Sequence, residues 1–189
     1  MSYADKIKNY IDEEVGVLQN LNVEEINHVM EILDKARLEG HRIYICGNGG
    51  SAATASHYVC DFNKGVSLGL DKRFKFECLG DNIPTMMAIA NDISYDDIFV
   101  EPLKNKMAAG DIVIGISGSG NSENVVRALN YAKDNGGVTI GIVGYDGGKI
   151  KQIAEHSIHV KINNMQIVED VHMMLDHVMM YVFYNLQNH

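Results

Sequence analysis

The sequence predicts an α/β fold. It reads as a three-layer sandwich around a five-stranded parallel sheet of flavodoxin-like order 2-1-3-4-5, preceded by a helical extension. Three observations predict it. Apolar strand-like runs alternate with helical patterning five times, the signature of a parallel sheet covered on both faces. The run Val138–Val143 is continuously apolar, as expected of a strand buried on both sides. Two further runs, Arg42–Cys46 and Ile112–Ile116, lead straight into Gly/Ser-rich turns that open helices. In the order 2-1-3-4-5 those two strands are neighbours at the switch point, so both turns converge on one crevice.

The elements follow in order. Residues 3–19 carry a loose helical stripe of Ile7, Tyr10, Ile11, Val15, Val17 and Leu18. A second helix starts after Asn22 and ends near Leu38, with Ile26, Val29, Met30, Ile32, Leu33 and Ala36 on one side. Glu24 and Glu25 suit its first turn and Gly40 its end. These two helices exceed what a minimal doubly wound domain needs, and packing against a partner subunit is their expected use. The first strand is Arg42–Cys46, and its helix runs from Ser51 to Phe62. A second strand covers Phe74–Leu79. Ile83–Asn91 reads as a short helix with Pro84 in its first turn, and after a break another helix runs to Met107. The third strand feeds a helix that reaches Lys133. Beyond the fourth strand lie a short helix ending near Glu155, a fifth strand at Ser157–Ile162 and a last helix at Gln166–Leu186. That helix has Val168, Val171, Leu175, Val178, Met179 and Val182 as its core stripe.

At 189 residues one domain is expected, spanning 1–189, with 1–40 as the extension and 41–189 as the α/β core. The net charge of −9 argues against a nucleic-acid partner. No window is long and apolar enough for a membrane span, and Met1–Lys6 lacks the apolar stretch of a signal peptide. The three cysteines, Cys46, Cys60 and Cys78, form no CxxC pattern and suggest neither disulfides nor a zinc knuckle. A cytoplasmic location is expected.

The two turns carry the chemistry. Cys46-Gly47-Asn48-Gly49-Gly50-Ser51-Ala52 and Ser117-Gly118-Ser119-Gly120-Asn121-Ser122 each join a strand to a helix. Glycines let backbone N–H groups turn inward, the helix N-terminus adds partial positive charge, and serine hydroxyls donate to anion oxygens. A flexible linker is the rival for the second turn, but a linker does not sit between a buried strand and an amphipathic helix. Gly47, Gly49 and Ala52 also fit a dinucleotide fingerprint, with Glu77 as the ribose acid; that reading leaves the second turn unexplained. His57 and Asp61 share one helix face, and Glu169, His172, Asp176 and His177 lie on the last helix. Such a set offers a divalent-metal site or an acid–base pair, or else a polar surface with one core histidine.

These motifs, with His57 between them and Tyr145-Asp146-Gly147-Gly148-Lys149 after them, resemble the SIS (sugar isomerase) domain family, in its phosphoheptose isomerase branch. The resemblance spans nearly the whole chain. It implies a single SIS domain, a homotetramer with active sites at subunit interfaces, and a sugar phosphate substrate. Ser51, Ser117, Ser119 and Ser122 match phosphate-binding serines. Asn48, Gly49 and Gly50 belong to the same cradle, and Asn91 and Asp92 match a pair near the sugar. His57 matches a zinc ligand and His177 a catalytic, metal-binding histidine. Asp61 stands where the family has a glutamate, and Glu169 where it has a glutamine.

The implied reaction is aldose–ketose isomerisation of sedoheptulose 7-phosphate through an enediol. Asp61 or Glu169 would act as base and His177 as proton shuttle. Zn²⁺ would be held by His57, Asp61, Glu169 and His177, and the product would feed surface-polysaccharide synthesis. The departures at Asp61 and Glu169 keep open a non-catalytic phosphosugar-binding or regulatory member, of the DnaA initiator-associating type. An isomerase of another sugar phosphate also stays open.

Overall fold

The computed structural model describes residues 2–187; Met1, Asn188 and His189, the ends of the expected domain, lie outside the described residues. Helix α1 spans Tyr3–Gln19 and α2 spans Val23–Glu39. The Asn22 side chain caps α2 by accepting from the N–H groups of Glu24 and Glu25, and Gly40 closes it in the left-handed conformation at φ 83°. Five parallel strands follow, β1 (Ile43–Cys46), β2 (Phe76–Cys78), β3 (Ile112–Ser117), β4 (Val138–Val143) and β5 (His156–His159), in the spatial order 2-1-3-4-5. Helices α3 (Gly50–Cys60), α4 (Ile83–Asp92), α5 (Val100–Lys106), α6 (Glu123–Asp134), α7 (Gly148–Ile153) and α8 (Met165–Gln187) complete the three layers.

Alternate strand residues divide the core. Ile43, Ile45, Ile112, Ile114, Ile140 and Ile142 face α2, α3 and α8, whereas Tyr44, Cys46, Val113 and Val143 face α5, α6 and α7. With both faces covered, the central strands read as unbroken apolar runs. No helix among the described residues is long and apolar enough to cross a membrane.

Several boundaries differ from the expectation for physical reasons. The helix after the first turn does not simply end at Phe62; at Asp61 it widens into a π-helical segment, Asp61–Val66. There the Asn63 amide donates to the Phe76 carbonyl and accepts from the Phe76 N–H, clamping β2. That strand is shorter than Phe74–Leu79 because the Phe74 N–H is taken by Ser67 Oγ. The helix expected through Met107 is interrupted, with a 3₁₀ turn at Tyr95–Asp97 before α5. The fifth strand begins at His156 and stops at His159. Val178 is exposed rather than in the core stripe of α8, and Phe183 is buried in its place, continuing the spacing of Val171, Leu175 and Met179.

Helix α1 contributes no fully buried residue. Tyr10, Val17 and Leu18 rest against Val160, Ile167, Val168 and Val171, and the Tyr10 hydroxyl donates to the Asp170 carboxylate. Tyr3, Ile7, Ile11 and Val15 stay exposed.

Phe62, at the start of the π-helical segment, stacks on Tyr58 and packs against Phe74, Phe76 and Phe183. Phe62→Ala is therefore expected to lower stability by about 3–5 kcal/mol in urea unfolding, the range for deleting a buried aromatic ring. A loss below about 1 kcal/mol would show that the cluster does not hold α3 to β2.

Candidate active site

β1 pairs with β3 in parallel, with Cys46 opposite Gly115. The two Gly/Ser turns therefore leave the sheet side by side at its carboxyl edge. Neither Gly49, the N-cap of α3, nor Ser122, the N-cap of α6, makes a side-chain capping hydrogen bond. The N–H groups of the first two residues of each helix stay available to an anion, where the helix dipoles reinforce them, whereas the Ala52 N–H is taken by the Asn48 and Gly49 carbonyls and the Val125 N–H by Asn124 Oδ1. Ser122 Oγ instead lies 3.1 Å from Ser117 Oγ, which brings two hydroxyls to the same place. Ser119 Oγ accepts the Asn121 N–H at 3.2 Å, and Asn121 Oδ1 accepts the Lys149 N–H at 3.1 Å. At Gly120, φ 67°, the Gly147 carbonyl oxygen presses where a Cβ would stand, so this turn seats on the loop after β4. In that loop Tyr145 takes a left-handed φ of 48°, with its carbonyl bound by His159 Nε2 at 2.9 Å.

Further along α3 a second group of side chains meets α8. His57 Nε2 lies 3.1 Å from His177 Nε2, 3.5 Å from Asp61 Oδ2 and 3.8 Å from Asp176 Oδ2. One donor atom from each of these four residues falls within 4.8 Å of all the others. Asp176 is wholly buried, and neither of its oxygens has a hydrogen-bond partner. Burial, and secondly the Asp61 carboxylate, push its pKa up to about 7. The Tyr58 hydroxyl is buried without a partner too, and its pKa is driven well above 10 by burial and then by Asp176.

This arrangement fits a divalent cation. Two ligands of a tetrahedral zinc, each about 2.1 Å from the ion, stand about 3.4 Å apart, within the spread of distances observed here. Two imidazoles and two carboxylates are a donor set suited to zinc. A cation would also satisfy the Asp176 oxygens, to which no group among the described residues donates a hydrogen bond.

The structure brings His57, Asp61 and His177 together, and the fourth residue whose donor atom joins them is Asp176, not Glu169. Glu169 lies eight residues before His177, about 12 Å along the helix axis. It reaches the start of α3 instead, where an ideal Cβ on Gly50 would stand 2.5 Å from Glu169 Oε2. Only glycine allows that approach. Among the described residues Glu169 makes no hydrogen bond or ion pair, and it is half-buried beside the first turn.

His172 is a core histidine, its pKa lowered to about 4 by burial, and stands outside the cluster. Asn91 donates to Asp92 within that pair, at the exposed end of α4. Glu77, the rival ribose acid, is taken by Lys106 and, at 3.7 Å, by Arg42. A cavity of about 840 Å³ beside β2 is lined by Val59, Phe76, Pro84 and Pro102 among others, and by none of the expected site residues.

Two residues had not been expected to serve the site. Asn124, in the first turn of α6, exchanges two hydrogen bonds with Asn48, each of 2.9 Å. Tyr95 donates to Asn48 Oδ1 at 2.9 Å. A polar residue in an otherwise apolar helix stripe was the one signal for Asn124. Tyr95 carried none.

A family model described as the SIS domain matches residues 2–144. A probable phosphoheptose isomerase of Thermoplasma acidophilum is 34% identical, covering 90% of this chain and 93% of that protein. A phosphoheptose isomerase of Thermodesulfovibrio yellowstonii is also 34% identical, over 95% of this chain and 90% of the relative. Among solved structures, a phosphoheptose isomerase from Neisseria gonorrhoeae superposes with a TM-score of 0.89 at 26% identity, covering 96% of this chain and 98% of that one.

The Asp176 carboxyl has a folded pKa near 7 against an ordinary value of 3.8. Between those values the folded chain holds a proton that the unfolded chain releases, so stability falls as pH rises from about 4 to 7, by a few kcal/mol in all. In chelator, Asp176→Asn is expected to melt higher than the parent protein at pH 8 and to show a flatter pH dependence between pH 5 and 8. A variant that melts lower than the parent at pH 8 would mean that the carboxylate is satisfied after all.

Proposed function

We propose that this chain, which belongs to the SIS domain family and within it to the phosphoheptose isomerases, interconverts sedoheptulose 7-phosphate and a heptose 7-phosphate through an enediol. The observation that carries the reading is the pairing of two uncapped helix N-termini at one sheet edge with a carboxylate–imidazole cluster further along the same α3. Ser51 and His57 are six residues apart, about 9 Å along the helix. That separation suits a sugar chain whose phosphate and carbonyl lie several bonds apart.

In this reading Ser51, Ser117, Ser119 and Ser122, with the N–H groups of the Asn48–Ser51 turn, hold the phosphate. Asn91 and Asp92 face the sugar. Asp61, in the cluster that would lie beside the carbonyl, removes the proton from the carbon next to it and returns it to the neighbouring carbon. His177 moves the hydroxyl proton between the two oxygens. Glu169, against Gly50 at the start of α3, stands at the phosphate end of the sugar rather than beside its carbonyl. Zinc held by His57, Asp61, Asp176 and His177 would polarise the carbonyl.

The exposed apolar residues Tyr3, Ile7, Ile11 and Val15 on α1, with Val178 and Tyr181 on α8, support a homotetramer with sites completed between subunits. The free thiols of Cys46, Cys60 and Cys78 agree with a reducing cytoplasm.

Purified protein is expected to turn over sedoheptulose 7-phosphate and to lose activity in chelator. Asp61→Asn should lower kcat by about 10²–10⁴-fold, the usual contribution of a general base, with a small change in KM. Ser119→Ala should instead raise KM. Absence of turnover by the parent protein, with sugar phosphate still raising its melting temperature, would replace this reading with a non-catalytic sugar-phosphate binder.

A further inference from the structure

We infer that Asn124 is a positioning residue that turns Asn48 into a donor-only contact for a bound anion; the inference rests on reading the Asn48–Ser51 turn as a phosphate cradle. Asn124 is 2% exposed and has no route to a ligand of its own. Its side-chain oxygen accepts the Val125 N–H at 2.9 Å. A backbone N–H only donates, so this bond decides which end of the Asn124 amide is oxygen. The Asn124 nitrogen must then face Asn48 Oδ1, and the Asn48 nitrogen must face Asn124 Oδ1, each at 2.9 Å.

The remaining capacity of Asn48 follows by counting. An amide oxygen accepts two hydrogen bonds and an amide nitrogen donates two. Asn48 Oδ1 receives Asn124 Nδ2 and the Tyr95 hydroxyl, which fills both lone pairs. Asn48 Nδ2 gives one hydrogen to Asn124, and one hydrogen is left. Half-buried Asn48 therefore offers the cradle an N–H and no acceptor. An anion that carries only acceptor oxygens is favoured by such a group, and a flipped amide would set oxygen against oxygen. The same pair of bonds ties the turn after β1 to the helix after β3, so one buried residue fixes both the polarity and the spacing of the two cradles. Tyr95, beyond the end of α4, adds its hydroxyl from the solvent side.

The test is the affinity of the full-length protein for inorganic phosphate, measured by calorimetry at constant ionic strength for Asn48→Ala, Asn124→Leu, the double variant and Tyr95→Phe. Asn124→Leu is neutral and close in size, so it adds no charge beside the cradle. It is expected to weaken phosphate about tenfold, as loss of an oriented bond to a charged group does. The double variant should bind no more weakly than Asn48→Ala alone, because Asn124 acts only through Asn48. Tyr95→Phe should weaken binding about two- to fivefold, again with no effect in the Asn48→Ala background; if Asn124→Leu does not fold, this pair decides. Affinity unchanged in Asn124→Leu, or losses that multiply in a double variant, would overturn the inference. A parent protein that binds no phosphate would overturn both the inference and the cradle. A parent protein that binds phosphate, with the expected coupling, but does not isomerise sedoheptulose 7-phosphate would remove the proposed activity and leave the inference standing.

Discussion

The parallel pairing of β1 with β3 is the constraint on which the site depends. Their register sets Ile43 opposite Ile112 and Cys46 opposite Gly115, so the strands finish almost level. Each is followed at once by a tight turn and a helix, and the right-handed crossover carries α3 and α6 to opposite faces of the sheet. Two helix N-termini then approach one point from two layers. Their dipoles reinforce each other there at contact range, so a net charge of −9 is no bar to the proposed anion cradle. No lysine or arginine is needed in the cradle, and neither turn contains one.

The second requirement is that α8 cross α3. It does so on the face where Leu175, Met179 and Phe183 meet Tyr58 and Phe62 in the large core cluster. That packing fixes the level of α8 against α3 and brings Asp176 and His177 opposite His57. The change to π geometry begins at Asp61, the other carboxylate of the cluster, and irregular helical segments of this kind recur at functional sites. The same segment holds β2 through Asn63, so the position of Asp61 is tied to the edge of the sheet. Core packing and ligand placement are thus set by the same residues.

Much of this was legible in the sequence, and what was not has physical reasons. The strand order follows from two Gly/Ser turns that make sense only as neighbours, and hydrophobic runs show the central strands because both faces are covered. Boundaries at the sheet edge were less legible: β2 is cut short by Ser67 and Asn63, whose hydrogen bonds leave no mark on periodicity. Glu169 and Asp176 show the limit most clearly. Both are acidic residues on the helix that carries His177, and family resemblance favours Glu169 as the ligand. Which of them faces His57 depends on how far α8 is advanced along α3, a quantity set by packing and absent from spacing. Asn124 is similar, since its value to Asn48 comes from a contact across 76 residues of sequence.

Two buried aspartates show why the cluster is read as functional rather than structural. Asp111 is 4% exposed, and its oxygens accept the N–H groups of Arg42 at 2.8 Å and Ala108 at 2.9 Å, with the His41 ring 3.7 Å away. It staples the start of β1 to the turn before β3, and its desolvation is offset by those bonds. Asp176 is more deeply buried and has none. Among the described residues no lysine or arginine pairs with it or with Asp61; the one ring near both is that of His57, which carries charge only when protonated. A fold selected only for stability would gain by replacing such a carboxylate with an apolar side chain. Keeping it beside a second carboxylate and two facing imidazoles is costly unless something positive occupies the space between them. The energetic debt of Asp176 is therefore the strongest physical sign of a cation in this protein, stronger than the donor atoms counted one by one.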